Sequence, residues 1–229
     1  MRFISKLFLL PLLFLGTILQ AQDKQYNKAQ DSDPEAITLI KNLKNKYDAF
    51  KTMEADFRLD IRIPGNKVES QQGKLKRQGD FVRFKLGDQE GIINAEAAYI
   101  IQHSNKEVMI SNLPEPGEMT GMLTPQTLFS FYEGNNYILA LQGKDVENGR
   151  LLQAIELKPV DRDNSEFTKL RLKVDQAKKE LASIEAFTRD GSRFTFHLDK
   201  TKGDVSLTNK TFTFNKAEFP GYHVEDMRY

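Results

Sequence analysis

The chain has 229 residues, of which 28% are charged, with 33 Lys and Arg against 32 Asp and Glu. That balance excludes the concentrated basic face that nucleic-acid binding requires. Cys and Trp are absent while Phe numbers 16, so neither a disulfide framework nor a thiol nucleophile exists and the fold rests on its core.

The first 22 residues read as a secretory signal peptide. Arg2 and Lys6 make a basic start, Leu7 to Leu19 is apolar apart from Pro11, Gly16 and Thr17, and Gln20-Ala21-Gln22 offers a small-residue cleavage site. The apolar run falls short of the ~20 residues that a membrane span needs. Its removal takes two cations away and turns the formal charge of +1 into one excess carboxylate. A chain without Cys cannot carry a lipid-attachment signal, which points to a soluble exported domain in the periplasm. Residues 23–33 are polar, with Tyr26 the one large apolar side chain, and read as a flexible leader. Residues 34–229 then fit one domain.

Asp33 has the chemistry of an N-cap, with Pro34 at the first helical position and Glu35 in the first turn. Ile37, Ile40, Leu43, Tyr47 and Phe50 follow at spacings of three and four, which predicts an amphipathic helix from Pro34 to about Lys51. From Met53 the period becomes two. Phe57, Leu59, Ile61 and Ile63 alternate with Arg58, Asp60 and Arg62 up to Pro64-Gly65. Val68 to Gln78 is more polar and reads as an edge or rim strand. Short strands follow around Val82–Leu86, Ile92-Ile93, Tyr99–Ile101 and Val108–Ile110.

The alternation breaks over Asn112–Leu123. Thr124 and Pro125 then signal a short helix carrying Leu128, Phe129, Phe131 and Tyr132 to Gly134. Strands resume at Tyr137–Leu141, Leu151–Leu157, Leu170–Val174, Leu181–Phe187, Phe194–Leu198, Val205–Leu207 and Phe212–Phe214, with Asp190-Gly191 a hairpin turn. Strand and helix do not alternate, so a parallel α/β sheet is excluded in favour of a mostly antiparallel one. A sheet with an apolar face must close or be covered. The expected architecture is mainly β: a curved antiparallel sheet forming a half-open barrel around an apolar cavity. The N-terminal helix and a short lid helix would cover it.

Catalytic signatures are missing. There is no Gly-x-Ser-x-Gly, no His-Glu-x-x-His and no phosphate-cradling Gly-rich loop. His103, His197 and His223 sit in separate elements, and His197 alternates with Phe196 and Leu198 so that it faces outward. Asp161 to Glu166 lacks the Gly and spacing of a calcium loop and reads as a solvated hairpin tip. No catalytic residue, metal site or cofactor is expected. The unusual feature is apolar: Met109, Met119, Met122, Leu123, Leu128, Phe129, Phe131 and Tyr132 exceed what a surface loop needs, with Gly117 and Gly121 as hinges. Met is flexible and polarizable and suits a surface that accepts ligands of variable shape. A lid over an apolar cavity and a plain core helix plugging a barrel both remain open on these residues.

The tail narrows the choice. Phe212-Thr-Phe214, Pro220-Gly221, and Val224-Glu-Asp226-Met-Arg228 resemble the close of the periplasmic outer-membrane lipoprotein carriers, the LolA family. Gly73-Lys-Leu75-Lys-Arg77 followed by Phe81-Val-Arg-Phe84 resembles that family's Gly-x-Leu signature, with Gln78-Gly79 where the family has proline. The resemblance implies that Arg77 bonds the lid and helps control ligand release, and that Phe81 is its apolar neighbour. Phe84, Met109, Met119, Met122, Leu123 and Phe129 join them as the expected lipid-binding residues. It further implies a monomeric, non-enzymatic chaperone for acylated lipoproteins. Its partners would be an inner-membrane releasing transporter and an outer-membrane acceptor. A sensor or scaffold module on the same half-barrel, and a carboxylate-dependent hydrolase, are the alternatives.

Overall fold

Alternation of apolar and polar side chains runs through most of the chain and builds one sheet. The computed structural model describes residues 28–113 and 136–228. A helix, α1 (Pro34–Asp48), precedes β1 (Thr52–Arg62), β2 (Glu69–Gln78), β3 (Phe81–Leu86), β4 (Gln89–Ile93), β5 (Ala98–Gln102) and β6 (Glu107–Ser111). Then come β7 (Tyr137–Glu147), β8 (Arg150–Pro159), β9 (Phe167–Asp175), β10 (Glu180–Thr188), β11 (Arg193–Gly203) and β12 (His223–Asp226). The strands form a single sheet in the order β12-β6-β5-β4-β3-β2-β1-β11-β10-β9-β8-β7. The expected mainly β half-barrel with an N-terminal helix is the observed fold. The second helix expected at Thr124–Gly134 lies outside the described residues.

The inner face is the one that α1 covers. Ala36, Ile40, Leu43 and Tyr47 are buried against Met53, Ala55 and Phe57 of β1, Leu75 of β2 and the apolar stripes of β8 to β11. These positions are three or four apart in the helix and two apart in the strands, so one stripe meets a pleated surface. The ends of α1 are fixed by polar contacts. At its start Asp33 donates its N–H to Leu139 O at 2.8 Å, while Ser32 Oγ and Asp33 Oδ2 accept the N–H groups of Leu139 and Leu141. Asp33 occupies the N-cap position but spends this carboxylate oxygen on edge strand β7 rather than on its own helix. At the other end the Tyr47 hydroxyl accepts Leu181 N–H at 3.3 Å. Burial pushes that phenol up to about 12, so it stays neutral. The helix thus spans the inner face from β7 to β1 and β2.

The outer face of β3 to β6 is covered by the C-terminal segment. Phe212 and Phe219 are buried there, and Phe214, Tyr222 and Val224 pack with Ile92, Tyr99, Ile101, Val108 and Ile110. The rings form a continuous run: Tyr99 stacks on Phe214 at 4.7 Å, Phe214 on Phe219 at 5.7 Å, and Phe219 meets Tyr222 at 5.5 Å.

Four local expectations differ from the structure. Phe212–Phe214 and Val205–Leu207 are not strands: Asn209–Phe212 is a 3-10 turn, and the carbonyls of Thr211 and Phe212 accept from the Arg83 and Asn94 side chains. The aromatic alternation serves packing on a neighbouring face rather than ladder pairing. The last strand, β12, runs parallel to β6 because the segment crosses the outer face before joining that edge. β2 lies between β1 and β3 instead of at a rim. Its polarity follows from a solvated outer face and from Gly73, whose missing Cβ would stand 2.2 Å from the Phe57 ring and 2.7 Å from Lys85 O. Finally, Ala29–Asp31 form a 3-10 turn and Ser32 is buried against β7, so ordered structure begins within the stretch read as leader.

Candidate functional site

α1 does not fill the inner face. Beyond it a groove of ≈ 720 Å³ is lined by Leu59 and Ile61 of β1, Leu86 of β3, Phe194 of β11, and Phe167 at the start of β9. Gln71, Gln89, Gln102, Ser104, Asp88 and Glu166 complete its polar part. That volume falls in the range of roughly 300–1,000 Å³ typical of small-molecule sites. The walls converge through long-range pairing. Leu59 faces Phe196 and Ile61 faces Phe194 across β1 and β11, Leu59 faces Gln71 across β1 and β2, and Leu86 faces Gln89 across β3 and β4. Phe57, the next inner position of β1 toward the helix, stacks on Phe196 at 4.7 Å.

Arg77 is buried at 7% exposure under the end of α1. Its Nη2 donates to Tyr47 O at 2.7 Å, which also accepts the Phe50 N–H at 3.3 Å, and to Phe50 O at 3.2 Å just beyond the helix end. Burial lowers the pKa of this guanidinium from its usual value, and the charges of Asp48 and Asp80 oppose the shift. What Arg77 holds is therefore the covering helix α1, at the end away from the groove's polar rim.

The structure separates the other expected site residues. Phe84 lies on the inner face, paired with Gly91 and packed against the main core. Phe81 lies on the outer face, its ring 6.0 Å from that of Phe212 under the C-terminal segment. Positions three apart in a strand face opposite sides, so Phe81 and Phe84 cannot line one cavity. Met109 is half-buried on the inner face of β6, opposite Ile100. Met119, Met122, Leu123 and Phe129 lie outside the described residues. The groove residues Leu59, Ile61, Leu86 and Phe194 were not singled out from sequence; their signal was the alternation itself, extended across strands that meet only in the fold.

Histidines serve as anchors here. His103 Nδ1 is 2.9 Å from the Tyr222 hydroxyl and its Nε2 is 3.6 Å from Glu90, which also pairs with Arg83. His197 stands on the outer face and pairs with Asp60 at 3.0 Å. Among the described residues no cluster of three or more His, Asp or Glu is arranged to hold a metal ion.

No protein-family model matches the chain, and no curated protein matches it. Solved structures do. An uncharacterized conserved protein from Thermus thermophilus matches with a TM-score of 0.55 at 10% identity, over 84% of this chain and 99% of that one. A putative outer membrane lipoprotein-sorting protein domain from Vibrio parahaemolyticus matches at 0.45 and 13% identity, over 81% and 98%. The LolA superfamily protein NE2245 from Nitrosomonas europaea matches at 0.42 and 12% identity, over 78% and 97%. At these identities the likeness is one of fold.

Proposed function

We propose that the protein is a periplasmic chaperone that shelters the acyl chains of lipoproteins in the inner-face groove and carries them from the inner to the outer membrane. The observation that carries this reading is an apolar groove left open beside a helix that covers the rest of the same face. An acyl chain in water costs about 0.8 kcal/mol per methylene, and walls of Leu59, Ile61, Leu86, Phe167 and Phe194 offset that cost. Loading and release then need no bond chemistry. They need a donor and an acceptor, in this reading an inner-membrane releasing transporter and an outer-membrane acceptor. A cover able to shift would couple them to the groove, and α1, whose C-terminal end is held by Arg77, by Lys46 on Lys178 O and Glu180, and by the Tyr47 hydroxyl, is the element placed to do so.

The test is a titration of delipidated protein with an uncharged fluorescent acyl amide. Saturable binding is expected, weakened by about tenfold or more in Leu59→Asn/Phe194→Ser, which swaps apolar wall for polar at half-exposed positions. Binding that ignores this double substitution, in a variant that melts like the wild type, overturns the reading.

A further inference from the structure

We infer that the groove, taken as an acyl-chain site as proposed above, selects ligands whose polar end is uncharged and hydrogen-bonding, and rejects those ending in phosphate or carboxylate. The argument begins with how alternation sorts charge between the faces. Arg58 and Arg62 of β1, Lys74 and Lys76 of β2, Arg83 and Lys85 of β3, and Arg193 of β11 all occupy outer-face registers. The inner registers of the same strands carry Leu59, Ile61, Gln71, Leu75, Phe84, Leu86 and Phe194. Across β1 to β6 and β11 the one cation in an inner register is Arg77, and it is already spent on the carbonyls at the end of α1.

The groove lining repeats this pattern. Its charged members are Asp88 and Glu166, and no Lys or Arg belongs to it. Asp88 is fixed in place, accepting the Ser104 N–H at 2.6 Å, and its hydrogen bonds to Ser104 hold the carboxyl below the usual carboxylate range, so it is charged at neutral pH. The stretch 114–135, outside the described residues, contains Glu115, Glu118 and Glu133 but neither Lys nor Arg, so its sequence offers no compensating cation. A phosphate or carboxylate binds where a guanidinium, an ammonium or converging N–H groups meet it. Here it would face the carboxylates of Asp88 and Glu166 with no Lys or Arg in the lining; Lys85, whose charge acts on Asp88, sits in an outer-face register outside it.

Carboxamides take the place of cations. Gln89 and Gln102 are directly opposed across β4 and β5, and Gln71 projects from the facing wall. Gln71 is bonded to Glu69 and Gln102 to Asn105, while Gln89 carries no side-chain hydrogen bond among the described residues. A carboxamide offers both donor and acceptor and so satisfies an ester carbonyl, an amide or a hydroxyl equally. Apolar walls ending in amides, with carboxylates at the polar end, match an acyl chain on a neutral ester or amide head.

The experiment displaces the fluorescent acyl amide with 1-monooleoylglycerol or with oleoyl lysophosphatidic acid, which share a chain and differ in the charge of the head. The uncharged competitor is expected to act at concentrations at least about tenfold lower. In Asp88→Asn/Glu166→Gln that gap narrows, and in Gln89→Lys the phosphate compound gains. Equal potency in the wild type, or a gap that the double variant leaves unchanged, overturns the selectivity while leaving acyl binding intact. Failure of both competitors to displace the probe overturns acyl binding itself, and the selectivity with it.

Discussion

The two halves of this sheet are covered on opposite faces, and by different means. From β7 to β2 the cover is α1, a stiff element 15 residues long, packed against the inner face. Over β3 to β6 the cover is the C-terminal segment, which lies on the outer face and touches it through a run of rings. A rod on a twisted sheet contacts it along one stripe and leaves space beside it, whereas a strap without regular structure follows the surface it lies on. The inner face thus keeps a groove of ≈ 720 Å³, while the outer face of β3 to β6 is closed by Phe212, Phe214, Phe219 and Tyr222. Each cover is also tied by an arginine to main-chain carbonyls: Arg77 to Tyr47 and Phe50, Arg83 to Thr211.

The comparison breaks most visibly through a pair of core truncations. Leu43→Ala under α1 and Phe219→Ala under the strap each remove a buried apolar side chain, at a cost of about 2–5 kcal/mol. Leu43 belongs to the core shared by α1 and most of the sheet, so its loss is expected to lower the melting temperature of the whole domain. Phe219 belongs to the smaller cluster, so hydrogen exchange in Phe219→Ala should rise in β12 and β6 before the rest opens. Uniform exchange in both variants would show that the two covers form one cooperative unit.

A smaller effect is expected at the helix anchor. Arg77→Met keeps much of the side-chain volume but removes the charged donor from both carbonyls, leaving Tyr47 O the Phe50 N–H, a loss worth about 1.5–3 kcal/mol for bonds to a charged group. Exchange should increase in the last turn of α1 while β12 is unaffected. A variant as stable as the wild type would mean that water replaces the guanidinium and that packing with the Lys46 and Tyr47 hydroxyl contacts suffices to hold α1.

Much of this arrangement was legible in the sequence. The spacing of Ile40, Leu43 and Tyr47 fixed α1 and its buried stripe, and the alternation from Phe57 to Ile61 fixed β1 and its inner side. The same alternation also held the correction for Phe81 and Phe84, since an odd separation in a strand sends two side chains to opposite faces. Other features were not local. β2 looks like an edge strand because Gly73 leaves room for the Phe57 ring, and only the fold shows what fills that room. Phe212 and Phe214 alternate as a strand would, but Phe212 ends a 3-10 turn, and its carbonyl and that of Thr211 meet side chains of the loop after β4 and of β3. The groove depends on β11 returning to pair with β1, which no window of sequence around Leu59 or Phe194 reveals.

The outer face of β7 to β11 has no cover among the described residues, and charge does more there. Glu156, buried on β8, meets Lys169 at 2.8 Å, Arg171 at 3.1 Å and Lys158 at 3.5 Å. Burial alone would raise its pKa; the hydrogen bonds from Lys169 and Arg171, with the charges of Lys169 and Lys158, outweigh it and hold the carboxyl below its usual value. Because the folded value lies below the unfolded one, the contribution is fully present above the ordinary Glu range, about 4.3, and is lost as pH falls through the depressed folded value. Glu156→Gln should therefore melt lower than the wild type at neutral pH, with the difference shrinking as the pH falls below the ordinary Glu range and the carboxylate takes up its proton. A difference that does not change with pH would assign the loss to packing instead.

The least perturbing change separates rings from hydrogen bonds in the strap. Tyr222 meets Phe219 edge-on at 5.5 Å and His103 at 6.0 Å, and its hydroxyl is 2.9 Å from His103 Nδ1. Tyr222→Phe keeps every ring contact and removes only that bond, whose net worth is about 0.5–1.5 kcal/mol. If rings hold the strap, the substitution shifts the melting temperature slightly, leaves exchange in β12 near that of the wild type, and does not alter acyl-probe binding on the opposite face. The opposite outcome, β12 opening as freely as in Phe219→Ala, would place the strap's attachment in the His103–Glu90–Arg83 network. Its aromatic surface would then be filling rather than fastening.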